Sequence, residues 1–504
     1  MAPGNIKSLS FLTSLIILGI AFSSLSQTRY LNEVFTDVNV TYDVVYGNNI
    51  TVQNATNIGP EDLLMDVYEP SGDSLPERPL VLYIHTGSFL PLVVNGVPVY
   101  ANGGCTGDRT DSATVEMAMQ FAKRGYTAVV MTYRKGWNPF LPSQTERIQQ
   151  LLNAAYRGIQ DARNCVRYFR ANYETGGNTY SVDTSKIIMV GQGTGGYLSL
   201  GCATLDKPHE INLLKFLDGN GDSVVDTAQM GDFYGLGGDT MNIENYPGYS
   251  SNFHMAVNLG GALGDSSWLE GGENIPIIGF HCPNDPFGPY GYGMVIVPTT
   301  NENVVEVSGS HDVVRRANKK GLNDILLNRD WGDAYSAADN GDGSNVENLF
   351  PFMRPQAESA PWEWWDAGTC PNNTSSMATN PGMSEVKGLA YIDTIQNYLA
   401  PRITCVFDLS GGCPPLITTN MENSPLANKV HISPNPSLGL IMIQSSRVPI
   451  EKIEIYDRIG KMVFIQDEIN QRFFSLNRGS IPDGMYFINT ITSQGIYTKK
   501  IIFQ

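Results

Sequence analysis

The chain has 504 residues, 42% of them hydrophobic, which is ample for a large core and too long for one ordinary domain, so two or three folding units are expected. Its 33 Lys and Arg stand against 50 Asp and Glu, a formal net charge of −17. That balance repels phosphate backbones and anionic membrane surfaces, and no nucleic acid is expected as a partner.

Lys7 gives a positive start, Phe11 to Phe22 an apolar stretch, and Ser24 and Ser26 the small residues before a cut at Gln27. Residues 1–26 therefore read as a signal peptide, and the rest as exported through the periplasm. The apolar stretch is shorter than the roughly 20 residues that span a bilayer, so no transmembrane segment is expected in the mature chain. Seven cysteines in an exported chain permit disulfides. Cys405 and Cys413, on either side of a Gly-Gly turn, are the easiest pair to close, and Cys202 reads as a small buried apolar residue.

Leu63 to Tyr68 alternates as a strand does, Pro79 to Ile84 is a compact apolar run ending at "HTGSF", and Ala113 to Arg124 has helical spacing. "YTAVVMTYR" returns to strand, Gln149 to Tyr173 is a longer amphipathic helix, and "KIIMV" is a strand feeding "VGQGTGG". "HMAVNLGGAL", "IPIIGFHCPND" and "NVVEVSGSH" follow as short apolar runs closed by polar residues, before a last helix from Met383 to Leu399. Alternating strands and helices predict a mostly parallel, doubly wound α/β sheet over residues 27–413. Residues 206–252 interrupt the rhythm as a lid or as a surface excursion. Residues 414–430 read as a linker, and 431–504 as short alternating strands of a small β-sandwich.

Strand, tight turn and helix around Gly191, Gln192, Gly193, Thr194 and Gly195 have the form of a nucleophile elbow, G-x-S-x-G, with glycine where the serine belongs. Upstream, His85, Thr86, Gly87 and Ser88 form a small-residue turn at a strand end, a place suited to oxyanion-binding N–H groups. Downstream, Asp285 closes one apolar run and His311 follows the next, so that elbow, acid and base come in the order of one known triad. A lone Asp or His in a loop more often has no such role.

With "LMDVYEP", "KRGYTAVVMTYR" and "GIQDARNCVRYFRANY" added, the pattern resembles the α/β-hydrolase family in its carboxylesterase and lipase-like branch, over residues 60–400. The resemblance implies Asp285 as acid, His311 as general base, the N–H groups of Gly87, Ser88 and Thr194 as oxyanion hole, and Gly193 at the nucleophile position. Glycine has no atom to acylate. The expectation is a carboxylesterase-like protein that is weak or inactive and binds a small ester or hydrophobic ligand in the old pocket. One alternative is an active ester hydrolase using Thr194, Ser88 or water activated by His311; another is a surface binding module. No cofactor and no metal are expected.

"LDGNGDSVVD" places Asp218, Asn220, Asp222 and Asp226 at alternate positions, but Ser223 and Gln229 break the Ca²⁺-loop pattern, which leaves an acidic solvated loop. "ADNGDG", around Asp339 and Asp342, is weaker. Trp362, Trp364 and Trp365 either pack against the last helix or face a sugar or apolar substrate. Finally, Pro434, Asn435, Pro436 and Gly439, Tyr456, Asp457 and Gly460, Gly484, Tyr486 and Phe487, and Lys499 and Lys500 resemble the C-terminal sorting domain of type IX secretion. That resemblance implies the secretion machinery as partner through residues 431–504 and a location at the cell surface or outside.

Overall fold

The computed structural model describes residues 28–53, 57–90, 107–271, 275–296, 302–337, 341–366, 378–417, 430–446, 448–493 and 495–504. Residues 1–26, read above as a signal peptide, Asp339 and most of the expected linker lie outside them. The chain divides into two compact units, Met1–Pro414 and Pro415–Gln504.

The first unit is built on eight strands: β1 (Val38–Gln53), β2 (Asn57–Pro70), β3 (Arg78–Ile84), β4 (Thr127–Met131), β5 (Val182–Gln192), β6 (Met255–Leu259), β8 (Ile277–His281) and β11 (Leu349–Pro351). They lie in the order β1-β2-β4-β3-β5-β6-β8-β11. Six of them, from β4 to β11, run parallel, and β1 and β2 add an antiparallel edge. β3 is buried along its whole length because the sheet is covered on both faces. Leu80, Leu82 and Ile84 point into one core layer, Val81 and Tyr83 into the other.

On the first face lie α2 (Gln144–Thr175) and α3 (Thr194–Thr204), contributing Ala154, Ile159, Leu198 and Leu200. The second face is covered by α1 (Ser112–Lys123) and α5 (Glu385–Val406), through Met117, Phe121, Ile392 and Leu399. Ser143 and Ser384 cap α2 and α5 by accepting the N–H groups of Glu146 and Lys387. The buried Arg134–Asp161 pair ties β4's end to α2, with Asp161 accepting Arg134 N at 2.7 Å and Nε at 2.8 Å.

One element departs from the reading of the sequence. "NVVEVSGSH" forms β10 (Asn303–Gly309), which is not in the central sheet but joins β7 (Ala262–Leu263) and β9 (Tyr292–Ile296) in a small antiparallel sheet. The strand beside β8 is instead β11, three residues ending in a proline and too short to show periodicity. Residues 206–252 carry only short turns and a one-turn helix (Thr227–Met230), which Asp226 caps. Asp218 Oδ1 accepts the N–H groups of Asn220 and Asp222, so that carboxylate closes its own loop. Trp362 is buried against Phe352, and Trp364 packs on Gly388 of α5. Cys405 and Cys413 are disulfide-bonded, and Cys202 is buried and free.

The second unit is all β: β12 (Val430–Ser433), β13 (Leu440–Ser445) and β16 (Phe473–Asn477) in one sheet, and β15 (Met462–Gln466), β14 (Ile450–Asp457), β17 (Gly484–Thr492) and β18 (Gly495–Phe503) in the other. Alternation buries Ile441 and Ile443 from one sheet against Ile453, Ile455 and Ile488 from the other. The "PNP" segment is fixed by Asn435, whose side chain donates to Lys500 O at 2.7 Å and accepts Ile502 N at 2.9 Å. Asp457 closes the "YDRIGK" turn by accepting the N–H groups of Ile459 and Lys461, with Gly460 at φ +81°.

Candidate active site

β5 ends at Gln192, Gly193 turns with φ +53° and ψ −116°, and α3 starts at Thr194. This is the strand–turn–helix of a nucleophile elbow, and its central residue lies in a region that L side chains enter at a cost of about 1–3 kcal/mol. Glycine relieves that strain. A Cβ on Gly195 would strike the carbonyl oxygen of Ile84, so the turn sits tightly against the end of β3.

A Cβ on Gly193 would collide with Oγ1 of Thr86 and lie 3.0 Å from its Cβ. The threonine side chain therefore fills the space that a nucleophile would use. Thr86 opens the turn after β3, where Gly87, Ser88 and Phe89 have φ of +147°, +53° and +54°. The "RKGW" segment after β4 holds this unusual backbone: Trp137 Nε1 donates to Ser88 O at 2.9 Å and Gly136 N to Phe89 O at 2.8 Å. Trp137 is 1% exposed.

The two hydroxyls considered as substitute nucleophiles are placed differently. Tyr133 donates to His85 O at 3.1 Å, so its contact with Thr194 Oγ1 at 3.0 Å takes the threonine's proton. Thr194 Oγ1 is thus turned toward Tyr133. Ser88 lines the pocket beside Gly193. His85 is fully buried, and burial followed by Lys135 lowers its pKa to about 3, so it stays neutral behind the turn.

Asp285 follows β8 and reaches the same pocket. Its Oδ1 accepts Phe287 N at 2.8 Å and Gly288 N at 3.1 Å, and its Oδ2 accepts Ser359 Oγ at 2.9 Å. Burial raises its pKa; His281, the two N–H groups and Ser359 oppose the rise. Ser359 lies in the loop after β11, beside the buried Glu358, which pairs with Arg354 and with Lys387 of α5.

His311 does not join them. It is the second residue of α4 (Ser310–Lys320), where its backbone N donates to Tyr290 O at 3.0 Å. Its ring packs on Tyr290, 5.3 Å between centroids, and Tyr290 is bonded to Asp342. The expected Asp285–His311 pairing fails because β10 leaves the central sheet and carries the histidine away with it. The histidine that approaches Asp285 is His281, with Nε2 3.7 Å from Oδ2, yet it is fully buried. Its Nε2 donates to Gly288 O at 3.1 Å, and its Nδ1 therefore accepts from Ser310 Oγ at 2.7 Å. Burial lowers its pKa and keeps it neutral.

The pocket measures about 240 Å³. Thr86, Ser88, Gly193, Thr194, Asp285 and Ser359 line one end, and the walls beyond are apolar side chains of α2, β9, β10 and the 206–252 insertion. None of the chain's six histidines lines it, nor does any Lys or Arg among the described residues.

Residues 65–262 match the family model BD-FAE, and residues 431–504 match that of the secretion system C-terminal sorting domain. The chain carries a BD-FAE domain of the esterase-like α/β-hydrolase class. The sorting domain behind it marks the chain for type IX export, to the cell surface or beyond, and no helix among the described residues is long and apolar enough to cross a membrane. Among solved structures, Thermogutta terrifontis esterase 2 phosphorylated by paraoxon is 16% identical, covers 75% of this chain and 96% of its own, and has a TM-score of 0.39. The apo form of that esterase is 16% identical, with 76% and 97% covered and a TM-score of 0.39. A propionate-bound form is 14% identical, with 76% and 98% covered and a TM-score of 0.37. No curated protein sequence matches the chain.

The pocket thus brings together Gly193 at the strand–helix turn, Thr86 and Ser88 of the turn after β3, and the carboxylate of Asp285, which lies beyond the residues that match BD-FAE. Sequence reasoning missed the roles of Ser359, Trp137 and Tyr133. Only the "RKGW" segment carried a signal, a Gly-Trp pair directly after a strand.

Proposed function

We propose that the exported BD-FAE domain binds a small apolar ligand in the former hydrolase pocket without cleaving it. The observation that supports this most is the pairing of Gly193 with Ser359. The two positions where a nucleophile and its base would stand hold a glycine and a serine already committed to Asp285. Acyl transfer needs a nucleophile beside a base that takes its proton. Three donors already occupy Asp285, and Thr86 is not among them, so the acid is not placed to take that hydroxyl's proton.

Water activated by a histidine is disfavoured for the same reason, since no histidine lines the pocket. On this reading the N-terminal signal peptide takes the chain across the inner membrane before the sorting domain acts.

The test is ester hydrolysis by the purified full chain and by Asp285→Asn, with p-nitrophenyl acetate and butyrate. Both should remain at the rate of buffer alone. Turnover above that rate that disappears in Asp285→Asn would show a working hydrolase and overturn the proposal.

A further inference from the structure

The pocket's two ends differ in chemistry, and together they describe one kind of molecule. Thr86, Ser88, Tyr197 and Ser359 line the pocket together with Gly193, and the Thr86 hydroxyl stands where a Cβ on Gly193 would go. Ser359 gives its proton to Asp285 at 2.9 Å, so it presents lone pairs to the cavity. Thr194, the first residue of α3, has a backbone N–H with no acceptor inside the helix. Ser359 Oγ therefore accepts and Thr194 N–H donates, while the hydroxyls of Thr86, Ser88 and Tyr197 can do either. An alcohol satisfies both, whereas an ester carbonyl or carboxylate only accepts and an ammonium only donates.

Charge narrows the choice further. Among the described residues Asp285 is the only carboxylate in the lining, and no Lys, Arg or His there offsets it, so an anionic head group is repelled. Beyond the polar end the walls are aliphatic, with Leu151, Leu152 and Ile159 from α2 and Val295, Val305 and Val307 from the β9–β10 hairpin. A dry apolar cavity of about 150 Å³ holds benzene. At about 240 Å³ this one has room for a chain of about eight to ten carbons.

The geometry points to a primary aliphatic alcohol as the ligand, its hydroxyl between Thr194 N–H and Ser359 Oγ and its chain among the aliphatic walls. This assignment rests on the non-hydrolytic reading of the same pocket and names what the pocket holds.

The test is calorimetric titration of the full chain at pH 7 with 1-octanol, octanoate and octylamine, in parallel with incubation with octyl acetate. Octanol should bind at least about tenfold tighter than either charged analogue, and Ser359→Ala should weaken it about fivefold, as loss of one hydrogen bond does. Ala155→Phe, which fills the cavity from α2, should abolish binding. Val295→Trp blocks the opposite wall and serves if the first variant does not melt as the parent does.

Equal or tighter binding of octanoate or octylamine would overturn the assignment, as would octanol binding that survives both blocking variants. Cleavage of octyl acetate would instead overturn the non-hydrolytic reading. Failure of octanol with octyl acetate left intact overturns the ligand class alone.

Discussion

Ser359 Oγ lies 2.9 Å from Oδ2 of Asp285, in the loop after the last parallel strand, where a histidine serving that acid would have to stand. The elbow in the same pocket holds Gly193, and Thr86 fills the space where its Cβ would go. On the proposed non-hydrolytic reading, three residues separate this pocket from a working triad. Gly193→Ser alone should remain silent toward p-nitrophenyl acetate and toward a serine-directed phosphonate. Gly193→Ser combined with Thr86→Ala and Ser359→His should gain at least on the order of 10²-fold in rate and become labelled. A fully active single Gly193→Ser would show that a base other than residue 359 serves the elbow.

The backbone of the Gly87–Phe89 turn depends on a distant side chain. Trp137 Nε1 holds the carbonyl of Ser88, whose backbone has positive φ. Trp137→Phe keeps most of the ring's packing and loses that bond, so stability should fall by about 1 kcal/mol while octanol affinity falls with it. Trp137→Ala should cost about 3–5 kcal/mol through the cavity it leaves. Urea unfolding of the isolated variants measures both.

Arg134 and Asp161 are both fully buried, and Asp161 accepts the backbone N–H of Arg134 as well as its guanidinium. Asp161→Asn leaves an uncompensated cation in the core and should cost about 3–5 kcal/mol. A drop in melting temperature below that of any pocket variant is the expected readout. A change within 1 °C would mean that the pair contributes nothing net.

Behind the elbow, Gln192 bridges Tyr83 and Glu363, donating its amide to the carboxyl. Burial, followed by Asp111, raises the Glu363 pKa to about 8, and burial raises Asp111 to about 7. Folded values above the unfolded ones mean that the folded state holds protons the unfolded state has lost, so these groups favour folding at low pH. Their contribution declines as pH rises from about 4, the ordinary carboxylate value, through 7 and 8. Glu363→Gln removes one such group and should flatten the loss, raising the urea midpoint relative to the parent more at pH 8 than at pH 5. Equal shifts at both pH values would contradict the assignment.

Much of this chain was legible before any coordinates. The helices of the first unit and most of its central strands repeat their apolar residues at the period that core burial requires, and the tail's turns are marked by Asn435, Asp457 and Gly460, which the second unit uses as turn and bridge residues. The elbow too was visible, because strand, glycines and helix are local features. β11 was not, since three residues ending in proline carry no periodicity.

The sequence by itself determined the α/β class, the all-β tail and the glycine at the centre of the elbow-like turn, each written in local pattern or in the identity of one residue. Tertiary structure alone decided the partner of Asp285. A base is defined by its distance from the acid, and distance depends on which strand enters the sheet. Because β11 and not β10 lies beside β8, residue 359 meets the acid and His311 is carried off on α4. In three dimensions, Gly193 at the elbow thus shares its pocket with Asp285 and Ser359 and, among the described residues, with no histidine.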